Sequence, residues 1–105
     1  MRIGITLSKL VVVTLLLMAP ALLMAQRPAT IGATMSQTGK YADFGIQALQ
    51  GLEMFVSDLN GRGGSGGLKV NLIVYDDESD RETAARLYEK LIVEDKVDFL
   101  VAAAL

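Results

Sequence analysis

Three short apolar runs alternate along the chain with two longer segments in which apolar positions recur every three or four residues. The runs cover residues 30–35, 69–75 and 97–102. They lack a regular polar alternation, which is typical of strands buried on both faces. The longer segments cover residues 41–60 and the region that begins at residue 79 or 80, and each carries one apolar stripe at helical spacing. The pattern therefore predicts the order β-α-β-α-β.

This order predicts an α/β fold, half of a doubly wound parallel sheet, because each connection is long enough to cross over between parallel strands. Right-handed crossovers leave two spatial orders open. Order 3-2-1 places both helices on one face of the sheet, whereas order 2-1-3 places one helix on each face. Both orders leave apolar strand surface uncovered. We therefore expect residues 26–105 to be the truncated N-terminal part of a larger unit; a self-sufficient miniature domain is the alternative.

The first residues have the composition of an export signal rather than of a folded domain. Arg2 and Lys9 give a positive start, residues 10–24 are almost wholly apolar, and small residues offer cleavage after Ala21 or Ala25. This pattern predicts a secretory signal peptide over residues 1–25. An uncleaved membrane anchor is the alternative, although the apolar run is shorter than the roughly 20 residues that a spanning helix needs.

Composition excludes several classes of function. The formal net charge is −2, which gives no basic footprint for nucleic acid. The sequence contains neither cysteine nor histidine. Zinc sites built on those residues, and Ser-His or Cys-His nucleophile pairs, therefore cannot form within this chain.

Two glycine-containing loops resemble phosphate loops only superficially. The glycine-rich stretch 61–67 follows a helix and precedes a strand, which is the opposite of the topology that binds phosphate. Thr38-Gly39-Lys40 lies in the correct place, but Thr34 replaces the first glycine of a P-loop and Tyr41 replaces the metal-binding hydroxyl. We therefore read residues 61–67 as a flexible turn and reject a P-loop.

An acidic cluster follows the second predicted strand. Its members are Asp76, Asp77, Glu78 and Asp80. We expect it to end the strand and to favour the positive N-terminus of the next helix, which Ser79 or Asp80 caps; Ser79 with Glu82 fits a capping box. A cation site is the alternative, but the ligand spacing of a calcium loop is missing. Asp76 or Asp77 remains a candidate for a place near a ligand.

The turn after the first predicted strand carries the chemistry of a small-molecule cradle. Ser36, Thr38 and Gly39 offer two hydroxyls and a free backbone beside a helix N-terminus, which favours a carboxylate. Helix capping by Ser36 or Thr38 is an equally good interpretation. Tyr41 and Phe44 follow, and they either wall a ligand or pack against a neighbouring element.

Three segments, in this order and spacing, resemble type I periplasmic binding proteins of the branched-chain amino-acid (Leu/Ile/Val) transport class. The first is Ile-Gly-Ala-Thr-Met-Ser-Gln-Thr-Gly at residues 31–39. The second is the connector Asn-x-x-Gly-Gly-x-x-Gly-x-Lys-Val at residues 60–70. The third is Tyr-Asp-Asp-x-Ser-Asp at residues 75–80, followed by Ala84.

The resemblance implies a two-lobed, hinged receptor that delivers a small, amino-acid-like solute to an ABC permease in the inner membrane, with no cofactor and no metal. This chain would begin the first lobe, in the periplasm. Phe44 matches an aromatic that contacts the ligand side chain, and Ser36, Thr38 and Gly39 match the cleft turn.

Two departures from the family pattern stand out. Ser65 replaces an aliphatic residue of the connector, and residues 102–105 stand where the family has a serine-rich, carboxylate-binding turn. A membrane-tethered sensing module and an exported α/β enzyme fragment remain alternatives to a transport receptor.

Overall fold

The computed structural model describes residues 9–16 and 27–102. Residues 9–16 are helical, and the predicted cleavage positions after Ala21 and Ala25 lie outside the described residues. No helix within the described ranges is long and apolar enough to span a membrane. The remaining elements are β1 (Ala29–Met35), α1 (Ala42–Gly61), β2 (Val70–Asp76), α2 (Arg81–Val93) and β3 (Phe99–Val101).

The three strands form one parallel sheet in the order β2-β1-β3. β1 is central and pairs with β2 over its whole length, from Ala29 opposite Val70 to Met35 opposite Asp76. The α/β prediction is therefore confirmed, and of the two spatial orders the structure has 2-1-3.

One helix covers each face of the sheet. Met35 points to the α1 side, where it lines a depression with side chains of that helix. Gly32 points to the α2 side, because a Cβ built on it would lie 2.9 Å from side-chain atoms of both Leu91 and Val97. Because neighbours in a strand alternate between faces, α1 and α2 sandwich β1 between them.

The apolar stripe predicted for α1 is only partly buried. The stripe consists of Ala48, Leu49, Leu52, Phe55, Val56 and Leu59; Val56 is buried and Leu52 half-buried, whereas Phe55 is 57% exposed. α1 packs on β2 and β1, so its β2 side is covered and its β3 side faces outward. The stripe therefore divides into a packed half and an open half.

The structure decides two local details. Of the two candidate caps of α2, it has Asp80, whose carboxylate accepts a hydrogen bond from the Thr83 N–H at 2.9 Å, and Ser79 and Glu82 do not form a capping box. The third strand is shorter than residues 97–102, because β3 begins only at Phe99. Asp98 lies just before β3 and pairs with Thr30 of β1. Its N–H donates to the Thr30 carbonyl, and its side chain accepts from the Thr30 N–H.

A side-chain clamp joins α1 to β2 at the N-terminal edge of the sheet. The Asn60 amide accepts from the Val70 N–H and donates to the Val70 carbonyl, both at 2.8 Å. This pair joins the end of α1 to the start of β2 across the glycine-rich loop. The loop needs no side chains of its own to fix where β2 begins.

Candidate functional site

Two turns meet at the C-terminal edge of the sheet. We name residues 36–41, between β1 and α1, the cleft turn, and residues 77–80, between β2 and α2, the second turn. They meet because β1 and β2 are parallel neighbours that end together, with Met35 opposite Asp76. The Asp77 N–H continues the ladder by donating to the Met35 carbonyl at 3.1 Å.

Asp77 is a fully buried carboxylate between the two turns. It accepts hydrogen bonds from the Ser36 hydroxyl at 2.6 Å and from the Thr34 hydroxyl at 3.1 Å. The Ser79 N–H adds a third, at 3.0 Å. A buried charge is tolerated only when it is satisfied by hydrogen bonds, and these three donors supply them.

Asp76 binds the cleft turn from its more exposed side. Its carboxylate accepts from the N–H groups of Gln37 at 2.9 Å and Thr38 at 3.3 Å, from the Thr38 hydroxyl at 2.8 Å and from the Glu78 N–H at 2.9 Å. Partial burial by itself raises the pKa of Asp76. The four hydrogen bonds to the charged form outweigh that effect and hold its pKa below the ordinary value of 3.8.

Ser79 joins the backbones of the two turns. Its hydroxyl donates to the Thr38 carbonyl at 2.7 Å and accepts from the Tyr41 N–H at 3.0 Å. Gly39, at φ 85°, lies against it: a Cβ there would be 2.8 Å from the Ser79 hydroxyl oxygen. The two turns are therefore in direct contact, and only glycine fits between them.

The hydroxyls of Ser36 and Thr38 bind carboxylates instead of capping α1. Neither caps α1, which begins after Tyr41 without any side-chain cap. Both donate their protons inward, to Asp77 and Asp76. Only the acceptor capacity of each hydroxyl oxygen remains available to another group.

The acidic cluster is used within the fold. Asp80 caps α2, while Asp76 and Asp77 bind the cleft turn. Across residues 9–16 and 27–102, no three carboxylates are grouped so that they could hold a metal ion. The cluster thus acts as a strand end and helix cap, as the sequence predicts, and also as the tie between the two turns.

An apolar depression of about 500 Å³ opens beside the cleft turn, between α1 and the end of β3. It is lined by Met35, Ser36, Tyr41, Phe44, Gly45, Ala48, Leu52, Val101 and Ala102. Of the four candidate residues, Ser36 and Phe44 belong to the lining. Thr38 and Gly39 lie instead on the side of the second turn.

Gly45 also lines the depression, although it is not among the residues that the sequence predicts for the site. A Cβ on Gly45 would overlap the carbonyl oxygen of Ser36, so glycine lets the first turn of α1 approach the cleft turn closely. Ala48 and Leu52 follow Phe44 at four-residue steps along α1. That spacing is the signal that identifies them as one line on the helix.

Comparison with known proteins gives these features a family context. The periplasmic binding protein family matches residues 28–104. The Leu/Ile/Val-binding protein of Escherichia coli K12 is 33% identical over 73 residues, which are 70% of this chain and 19% of that protein.

Solved structures agree. The substrate binding protein of the branched-chain amino acid transporter of Streptococcus pneumoniae, in complex with isoleucine, is similar with a TM-score of 0.72 and 26% identity, covering 74% of this chain and 22% of that one. The fatty acid ABC transporter substrate-binding protein of Thermomonospora curvata is similar with a TM-score of 0.59 and 28% identity, covering 62% and 17%.

The chain therefore spans about a fifth of the length of these relatives. The similar region begins just before β1 and includes both turns and the depression. Because the family match covers most of the sequence and the parallel α/β fold agrees with solved members, the chain belongs to the periplasmic binding protein family.

Proposed function

We propose that this chain supplies one wall of the cleft of an extracytoplasmic solute receptor that serves an ABC importer. The observation that carries the proposal is the position of the apolar depression. It lies at the C-terminal edge of the sheet, between the ends of β1 and β3, where the strand order 2-1-3 changes direction. Open α/β sheets bind ligands at this switch point.

The lining indicates the chemistry of the solute. Most of the lining side chains are aliphatic or aromatic, and two of the lining residues, Ser36 and Tyr41, each carry a hydroxyl. Such a wall favours a small solute with an aliphatic part: a branched-chain amino acid, its amide or a related small acid. The isoleucine bound by the S. pneumoniae relative and the fatty acids of the T. curvata relative both have such a part.

Within this wall we assign the ligand-contacting role to Phe44 and Ser36. Phe44 is 79% exposed at the depression, which is expected of an aromatic that loses water only when a solute binds. Thr38 and Gly39 belong to the proposed site through the shape of the cleft turn, because they lie against Asp76 and Ser79.

The receptor works outside the cytoplasm in this proposal. Residues 1–25 would direct export and be removed, and the folded part would deliver its solute to a permease in the inner membrane. The role is binding rather than catalysis. N-terminal sequencing of the exported product tests the predicted cleavage of the signal peptide. We expect a start at Leu22 or Gln26, and a product that retains residues 1–25 would contradict the prediction.

Solute binding is testable by heteronuclear NMR on the 105-residue chain. Titration with L-isoleucine, L-leucine, L-valine, their amides and short fatty acids should shift the amide signals of residues 36–48 and 101. Phe44→Ala should raise the Kd obtained from these shifts at least about fivefold, because a buried aromatic contact supplies roughly 1 kcal/mol or more. Met54→Ala is the matched control, since Met54 is a similarly exposed apolar residue of α1, at 72%, outside the depression.

Two results would contradict the proposal. One is the absence of any shift for every solute at millimolar concentration. The other is equal weakening by Phe44→Ala and Met54→Ala, which would indicate nonspecific contact with exposed apolar surface.

A further inference from the structure

The cleft turn makes few hydrogen bonds of its own. Its N–H groups at Gln37 and Thr38 donate to the Asp76 carboxylate, and the one at Tyr41 donates to the Ser79 hydroxyl. The Thr38 carbonyl accepts from the same Ser79 hydroxyl at 2.7 Å. The backbone of the cleft turn is therefore bonded mainly to side chains of another segment, about 40 residues further along the chain.

The second turn is itself held in an unfavourable conformation. Glu78 and Ser79 have φ angles of 56° and 59°, in the left-handed region that non-glycine residues rarely adopt. The carboxylates of Asp76 and Asp77 accept from the N–H groups of these two residues, at 2.9 and 3.0 Å. Each carboxylate thus stabilises the second turn and binds the cleft turn at the same time.

We propose that Asp76 and Asp77 are positioning residues for the solute site: they lock the cleft turn onto the second turn, and so fix the first turn of α1 at the depression. The proposal rests on the proposed function, because it extends the solute site to two residues that do not line it. Asp77 is buried and Asp76 lies on the far side of the cleft turn, so both act through other residues.

The physical basis is preorganisation. Tyr41 ends the cleft turn, and Phe44 follows it in the first turn of α1, so a shift of the turn moves both aromatic side chains. A cleft turn that makes four hydrogen bonds to the carboxylates of Asp76 and Asp77 presents one shape to the solute. A released turn would have to be ordered again on binding, which lowers affinity.

Amide hydrogen exchange tests the lock without any solute. In Asp76→Ala we expect exchange at Gln37 and Thr38 to accelerate by at least about tenfold relative to the amides of β2, since each amide loses its acceptor on Asp76. Asp76→Asn should restore most of the protection, because its carbonyl oxygen still accepts and its amide can donate to the Thr38 hydroxyl. Asp58→Ala, at an exposed surface ion pair, is the control.

The binding arm uses L-isoleucine as the probe. Asp76→Ala should weaken its binding by about fivefold or more although Asp76 does not line the depression, and Asp76→Asn should recover it. Equal acceleration of exchange in the cleft turn and in β2 would overturn the lock, because it would show general destabilisation. Unchanged isoleucine binding in a variant with a released turn would overturn the positioning role.

Two provisions keep these results separable. If Asp76→Ala does not fold, Thr38→Val removes a single hydroxyl bond and should release Thr38 alone, and unchanged exchange there would again overturn the lock. If the wild-type chain binds none of the solutes, the proposed function and the positioning role both fail, while the exchange pattern still decides whether the lock exists.

Discussion

The two edges of the sheet solve the same structural problem differently. At the N-terminal edge, the loop between α1 and β2 reverses the chain with positive-φ residues that are all glycine. These are Gly63, Gly64, Gly66 and Gly67. At the C-terminal edge, the second turn reverses the chain with Glu78 and Ser79, which have positive φ but are not glycine.

The side chains explain the difference. At the glycine loop, the clamp runs from Asn60 to Val70, and no side chain of residues 61–67 takes part in it. The second turn needs the Ser79 hydroxyl, which donates one hydrogen bond to the cleft turn and accepts another from it. Glycine at that position would relieve strain but would remove the hydroxyl. The strain at Glu78 and Ser79 therefore lies at the edge where we place the solute site, whereas Lys96, between α2 and β3, is a non-glycine residue with positive φ outside that edge.

The largest expected effect is the loss of the buried carboxylate at the C-terminal edge. Asp77→Ala leaves three donors without a partner, at Thr34, Ser36 and Ser79, and should lower the free energy of unfolding by about 3 kcal/mol. Urea unfolding followed by circular dichroism measures it. Asp58→Ala is the control, and a similar loss in both variants would contradict a special role for Asp77.

Overpacking at the same edge should be nearly as severe. Gly45→Ala places a methyl group on the Ser36 carbonyl oxygen and should cost about 2 to 3 kcal/mol of unfolding free energy. Gly51→Ala, in the same helix with open space around it, should instead stabilise by about 0.5 to 1 kcal/mol. Thermal unfolding of the pair gives opposite signs if α1 packs on the cleft turn as described.

The clamp at the N-terminal edge should matter less. Asn60→Ala removes two hydrogen bonds to the Val70 backbone and should cost about 1 to 2 kcal/mol. Asn60→Asp retains the acceptor for the Val70 N–H but faces the Val70 carbonyl with a second oxygen. It should therefore recover only part of the loss, and full recovery would show that one bond suffices.

Acid should weaken both edges. The pKa of Asp76, at the C-terminal edge, and of Asp98, at the N-terminal edge, are held below 3.8. For Asp76, partial burial raises the pKa, but the hydrogen bonds described above lower it by more. For Asp98, the hydrogen bond from the Thr30 N–H lowers the pKa most, followed by the one from Arg27. Because the unfolded chain then binds more protons, these groups stabilise the fold above about pH 4, and stability is lost as pH falls through their folded-state pKa values.

We measure the urea midpoint from pH 7 to pH 2.5. Asp76 and Asp98 should leave it unchanged down to about pH 4, and their protonation should lower it below that pH. Asp76→Asn and Asp98→Asn should each reduce the steepness of the fall. A midpoint that rises on acidification, or a slope that neither variant changes, would contradict the two assignments.

The smallest effect separates strain from function. Lys96, in the loop between α2 and β3, has a φ of 52° and lies outside both turns. Lys96→Gly should raise the unfolding free energy by up to about 1 kcal/mol, because glycine adopts this conformation without the steric cost. The same change at Ser79 should instead destabilise, because the hydroxyl bonds are lost. A gain at Ser79 would show that strain outweighs its two hydrogen bonds.

Much of the fold follows from local patterns. The apolar runs and the helical stripes predict the five elements in order. The motifs from Ile31 to Asp80 predict the family. Both signals depend only on residues that are close together in the sequence. The acidic segment after β2 is recognisable as a strand end and helix cap. The export signal and the ligand-binding roles of Ser36, Thr38, Gly39 and Phe44 stay predictions.

Only the tertiary structure decided the rest, because it depends on which strands are neighbours. The order 2-1-3 places β1 beside both β2 and β3, and thereby brings the second turn under the cleft turn and the depression beside it. Ser36 and Thr38 then bond to Asp77 and Asp76 rather than to a helix end. Residues some 40 positions apart leave no local pattern that pairs a hydroxyl with its carboxylate, so the use of these side chains follows from the packing of the strands.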